Sequence, residues 1–212
     1  MKKKNNLMYI IQINLLFLFS CHDYGEQVRK KKINLGKLFE NNYMLDSSDG
    51  SYINDSLNFE LKYPISWVEE DCSEATGIFL AHVKYNSQFD ILTNFSVQVT
   101  QVEGTVPLDS LFATEMQHLK SKDYPISEVE IEFKDKIIFA EQQAIMYLAS
   151  GKYEEHQKIY DLKWKKILFI KEKYLYDLSS TSTIENFEQD TLVINEIFNS
   201  FNFFQNKLND ND

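Results

Sequence analysis

The stretch from Asn94 to Val102 reads NFSVQVTQV, with Phe95, Val97 and Val99 on one side of an extended chain and polar residues between them. Successive side chains of a strand point to opposite faces, so this alternation fixes a half-buried strand. The same period recurs along the chain. Leu57, Phe59 and Leu61 alternate with polar residues in YINDSLNFELKYP, where Pro64 stops the run and Trp67 follows. GIFLAHVKY, from Gly77 to Tyr85, supplies another strand, and YNSQFDILT after it supplies the turn of a hairpin. In SEVEIEF, Val129, Ile131 and Phe133 alternate with Glu128, Glu130 and Glu132. AEQQAIMYLASGKY reads as a strand up to a turn at Gly151. Beyond it Ile159, Leu162 and Trp164 keep no single period, which predicts a bulge or a change of register. KKILFI and KYLYDLS then read as two strands meeting at Lys171 to Lys173.

Two stretches keep a helical period instead. Leu108, Leu111, Phe112, Met116 and Leu119 recur at three and four, with Asp109 as the expected N-cap and an end near Lys122. Ser182 to Glu185 fits a capping box. Ile184, Phe187, Thr191, Ile194, Ile197, Phe198 and Phe201 follow as a stripe. The order is therefore strand, strand, strand, helix, three or four strands, helix. Strands joined as hairpins pair antiparallel. The expected fold class is α+β, an antiparallel sheet flanked by helices rather than a doubly wound sheet.

The chain opens with Met1, Lys2, Lys3 and Lys4, followed by LMYIIQINLLFLFS and then Cys21. A basic start and an apolar run broken by Gln12 and Asn14 have the form of an export signal, too short and interrupted for a spanning helix. Leu18, Phe19 and Ser20 before Cys21 resemble the bacterial lipoprotein signal, in which the cysteine is acylated and becomes the first residue. An ordinary secretory signal cut near Ser20, or an uncleaved anchor, is the alternative. The lipoprotein reading divides the chain into a signal at 1–20, a polar tether at 21–50, a domain at 51–204 and a polar tail at 205–212. His22, rather than aspartate, follows the cysteine. The sorting rule known for enterobacteria then favours the outer membrane over the inner.

Loss of the signal would carry the formal charge from −10 to −13. So acidic a body repels phosphate backbones, and nucleic acid is excluded as a partner. The expected partners are membrane lipid, through acylated Cys21, and a protein of the envelope. Cys72 is then the remaining cysteine and has no mate for a disulfide.

No nucleophile elbow, phosphate-binding glycine loop or HExxH pair occurs. His22, His82, His118 and His156 are scattered, and no spacing enforces a metal site. Glu128, Glu130 and Glu132 are expected on one outward face of a strand, an arrangement that invites a cation but is more commonly like-charge repulsion tolerated in water. Glu154, Glu155 and His156 read as a solvated turn. No catalytic residue, metal or cofactor is expected. The aromatic residues Trp67, Tyr63, Trp164, Tyr174 and Tyr176 are core if buried and a contact patch if exposed. Trp67 and Tyr176 are expected in the core. Trp164, bracketed by polar residues in DLKWKK, is a candidate for partner binding with Tyr63 and Tyr174.

LNFELKYPISW, from Leu57 to Trp67, resembles the opening strand of the PsbP/Mog1-like superfamily. KYLYDLSSTSTIENFEQDTLVINEIFNSFNF is similar to the closing strand, turn and helix of that group, with Tyr176 and Leu178 in the last core strand. The resemblance implies a fold more than a function, for its members range from an extrinsic photosystem II subunit to a nuclear-transport factor and bacterial envelope proteins. It supplies no catalytic pattern to carry over. The expectation is a non-enzymatic binding or assembly module at a membrane. The alternatives are a carrier of a small apolar ligand between sheet and helix, or a hydrolase whose acids converge with His118 or His156.

Overall fold

A period of two buries one face of each strand, and here both faces of one sheet find a helix. The computed structural model describes residues 49–70, 77–82, 93–121, 124–155 and 157–204. The main sheet has seven antiparallel strands in the order β3-β4-β5-β9-β8-β7-β6. They are β3 (Trp67–Glu70), β4 (Gly77–His82), β5 (Asn94–Gln101), β6 (Ile126–Phe139), β7 (Gln142–Glu155), β8 (Lys158–Lys171) and β9 (Tyr174–Thr183). Helix α1 (Leu108–Leu119) lies between β5 and β6 in the chain, and α2 (Ile184–Ser200) follows β9. A second, three-stranded antiparallel sheet joins β1 (Gly50–Asn54), β2 (Phe59–Tyr63) and β10 (Asn202–Phe203) in the order β1-β2-β10. The class is α+β with antiparallel sheets flanked by two helices.

The two faces of the main sheet carry different cores. Ile167, Phe169, Tyr176, Leu178, Phe95 and Val97 face α2, whose Phe187, Ile194, Ile197 and Phe198 close over them. Phe59 and Leu61 of the small sheet join the same cluster. Side chains on the other face, among them Leu162, Trp164, Leu168 and Ala149, pack with Leu119 of α1. Trp67 and Tyr176 are both buried in the larger core, as the sequence predicts. Burial pushes the Tyr176 hydroxyl up to about 12, with the charge of Glu172 adding to the shift.

The structure corrects several local expectations. The run from Tyr52 to Pro64 is two strands rather than one, because Asn54 Oδ1 accepts from Leu57 N at 3.0 Å and starts a turn. Gly151 lies inside β7 rather than at a turn. A Cβ there would stand 2.6 Å from Ile126 Cγ2 and 3.0 Å from Ser127 O, so glycine admits the close passage of β6. The pairing of β7 with β8 runs without a register shift, and Ile159 is exposed because it points away from Tyr160, Leu162 and Trp164. The register shifts fall in β6 instead, between Ser127 and Glu130 and between Ile131 and Phe133. They leave Phe133 exposed rather than inward.

The N-cap of α1 is Pro107, and Asp109 sits in its first turn, paired with Lys136 Nζ at 2.7 Å. The helix ends at Leu119, not near Lys122. The cap of α2 is Thr183, whose hydroxyl accepts from Asn186 N at 3.4 Å. Ser182 is instead buried and hydrogen-bonded to Thr93 at 2.9 Å.

Candidate functional site

Across the face that α1 covers, Tyr147 of β7, Lys166 of β8, Ser179 of β9 and Ser96 of β5 are direct cross-strand partners in one row. Asp177 points to the same face two residues before Ser179. The buried stripe of α1 is Leu111, Glu115 and Leu119, spaced four apart, so one helix face carries a carboxylate between two leucines. That carboxylate meets the row. Lys166 Nζ donates to Glu115 Oε1 at 2.8 Å and to Asp177 Oδ2 at 3.0 Å. The Tyr147 hydroxyl donates to Glu115 Oε1 at 2.7 Å. One buried ammonium thus clamps the helix to β8 and β9.

Burial alone would push the Lys166 ammonium down, but the charges of Asp177 and Glu115 outweigh it and hold the group well above lysine's ordinary range. Burial would likewise raise Glu115, and the Lys166 charge and the hydrogen bonds from Lys166 and Tyr147 bring it below its ordinary value. Burial pushes both Tyr147 and Tyr124 up. The His118 ring packs edge-on to Tyr124 with centroids 5.1 Å apart, and burial lowers its basicity. Acids, an imidazole and two phenols therefore do converge. A lysine held protonated has no lone pair to attack with, however, and a carboxylate held ionised by two donors is a weak base. The chemistry of the cluster is spent on fastening α1.

A second polar knot ties α2 to the opposite face. Thr93 Oγ1 donates to Asp190 Oδ2 at 2.6 Å, and Ser180 Oγ donates to Asn94 O at 2.7 Å. Thr93, Asp190, Ser180 and Ser182 are all buried.

The three aromatic candidates do not meet. Trp164 is 3% exposed and packs with Leu119, Tyr147, Tyr160 and Leu162, so it offers no surface to a partner. The residues directly beside it, Lys163 and Lys165, point to the other face, where Lys163 pairs with Glu132 at 2.8 Å and Lys165 with Asn195 at 2.8 Å. Tyr63 is half-buried at the end of β2, its ring lying over Gly50. Tyr174 is half-buried at the start of β9, with Lys173 Nζ 5.4 Å from its ring centre. Cys21, Cys72, His22 and His156 lie outside the described residues.

Glu128 pairs with Lys152 and Glu132 with Lys163. Among the described residues no group of three His, Cys, Asp or Glu is placed to hold a metal. The sequence reading missed Glu115, Lys166 and Asp177. The available signal was Glu115 standing within the apolar stripe of α1.

No protein-family model matches the chain, and no curated protein sequence matches it. Solved structures do. The cyanobacterial PsbP (CyanoP) of Synechocystis sp. PCC 6803 has a TM-score of 0.55 at 10% identity, covering 78% of this chain and 99% of that one. LpqN of Mycobacterium tuberculosis, described as involved in cell envelope biogenesis, has a TM-score of 0.54 at 10% identity, covering 78% and 100%. The likeness is one of fold alone.

Proposed function

We infer that this chain is a membrane-anchored, non-enzymatic binding or assembly module of the bacterial envelope. One observation carries the reading of the body: the buried Lys166, Glu115 and Asp177 are hydrogen-bonded to one another beneath α1 rather than presented to a substrate. Anchoring rests on the amino-terminal sequence, with its basic start, interrupted apolar run and Cys21. Under this reading residues 1–20 are the signal, acylated Cys21 holds the bilayer, 21–50 are the tether, 51–204 the working domain and 205–212 a tail. The outer membrane is favoured over the inner. Several acyl chains on one residue hold a bilayer stably, where one chain does so only marginally. An envelope protein is the expected partner, and the fold likeness to LpqN, described as involved in cell envelope biogenesis, is consistent with such a role.

Fractionation of cells expressing the wild type and Cys21→Ala tests the anchor. The wild type is expected in the membrane pellet and released by detergent, and the variant in the soluble fraction or retained as precursor. A Cys21→Ala protein that is processed and still sediments with membranes would contradict the reading.

A further inference from the structure

Lys165 and Lys163 point to the same face of the main sheet, the one that carries α2, but they differ in what they meet. Lys163 Nζ pairs with Glu132 at 2.8 Å. Lys165 Nζ donates to the Asn195 side-chain oxygen at 2.8 Å and stands 4.7 Å from the centre of the Phe198 ring. Among the described residues no carboxylate pairs with Lys165. Burial lowers the basicity of its ammonium, with no opposite charge to offset the loss. A half-buried cation in this state gains when an anion reaches it.

Apolar side chains extend from Lys165 across the same face. Helix α2 packs on β8, β9 and β2, and among the described residues no helix lies over β7 and β6 on this side. Phe133, Leu148 and Lys165 are direct cross-strand partners. So are Asp135, Met146 and Ile167, and likewise Ile137, Ala144 and Phe169. Residues directly opposed across strands share one face. Leu148, Met146 and Ile137 are half-buried there, and Phe133 is 46% exposed. From Leu148 to Ala144 this shelf runs about 14 Å along the strands, roughly the length of an extended twelve-carbon chain. The Phe139 ring, stacked on Phe201 with centroids 5.7 Å apart, closes the end away from Lys165. Asp135 is exposed on the outermost strand, where its Oδ1 accepts from Lys136 N at 2.8 Å. The groove is therefore cationic at one end and apolar along its length.

We propose that this groove holds a single-chain carboxylate amphiphile of the fatty-acid class, its head on Lys165 and Asn195 and its chain across Leu148, Met146 and Phe133. Asn195 spends its oxygen on Lys165, which leaves its amide N–H groups to donate. One ammonium and one amide match the two oxygens of a carboxylate. Such a site goes beyond the binding-module reading and needs neither the anchor nor a protein partner.

Photolabelling tests the groove. Membranes from cells carrying the full chain are irradiated with dodecanoic acid that bears a photoreactive group on its chain, and the labelled peptides are sequenced by mass spectrometry. Label is expected on peptides that span residues 133–148. It should fall about tenfold or more in Lys165→Met, the worth of one charge-assisted hydrogen bond, and persist in Lys165→Arg. Lys165→Gln should show the same loss, and serves as the second variant if Lys165→Met does not fold. In the wild type the matching photoreactive dodecanol should label these peptides far less than the acid, a comparison that needs no variant. Absence of label at 133–148, equal labelling by the alcohol, or full labelling of Lys165→Met or Lys165→Gln would overturn the proposal.

Discussion

Lys166 is the residue on which the attachment of α1 depends most. Removing one partner of a buried ion cluster leaves the others charged and desolvated, at a cost of about 3–5 kcal/mol. Lys166→Met is therefore expected to lower the unfolding free energy measured in urea by that much, and Lys166→Met/Glu115→Gln to cost less than the two single changes added. Strict additivity in that cycle would mean the two groups do not interact. Gly151→Ala tests a different kind of constraint. The new methyl has no room beside Ile126 and Ser127 O, and overpacking of this kind costs about 1–3 kcal/mol. A neutral result by thermal unfolding would show that β6 can yield there. Neither residue was legible beforehand for its true role. Gly151 looks like a turn because glycine marks both turns and close backbone approaches, and only the neighbouring strand distinguishes them. Trp164 looks half-exposed because lysines surround it in sequence, yet in a strand the adjacent Lys163 and Lys165 face the opposite way.

At the scale of elements, alternation and helical stripes placed both helices and most of the strands. The capping and turn chemistry was less legible, since Ser182 and Thr183 are equivalent cap residues until the fold buries one of them. Helix α1 is predicted to be the acid-sensitive element. Glu115 is held below its ordinary 4.5, so its contribution is complete above that value and is lost as pH falls through the lower folded value. His118, held below 6.5 by burial, also fits best when neutral, and its contribution too declines on the acid side. Lys166 is held above 10.5, so its contribution is complete below that and is lost only as pH rises through the higher folded value. Tyr124 and Tyr147, the phenols facing the same cluster, stay neutral throughout the acid range. Amides of residues 108–119 should therefore lose hydrogen-exchange protection as pH falls from 7 to well below 4.5, before those of α2. Simultaneous loss in both helices would contradict this.

The β6–β7 hairpin offers a stabilising test. Ala140 and Glu141 occupy φ 45° and 63°, where a side chain costs roughly 1–2 kcal/mol per residue and Asn-Gly is preferred. Ala140→Asn/Glu141→Gly should raise the thermal midpoint by the equivalent of about 1 kcal/mol, and a fall would show that these side chains hold the turn.

At the scale of the whole molecule, the antiparallel α+β architecture was readable because one-sided alternation demands a sheet with a covered face, and helical stripes supply the covers. The buried clasp was not readable, for it brings together residues 115, 147, 166 and 177, which share no local pattern and meet only once β7, β8 and β9 are in register beneath α1. The function proposed for the molecule joins an acyl anchor at one end of the chain to a domain that binds a protein of the envelope. The anchor is the part on which the cellular role turns, and mass spectrometry of the amino-terminal peptide of the native protein measures it most directly. The account predicts a peptide that begins at Cys21 and carries the mass of thioether-linked diacylglycerol. A peptide with a free Cys21 thiol, or one still joined to Ser20, would contradict it.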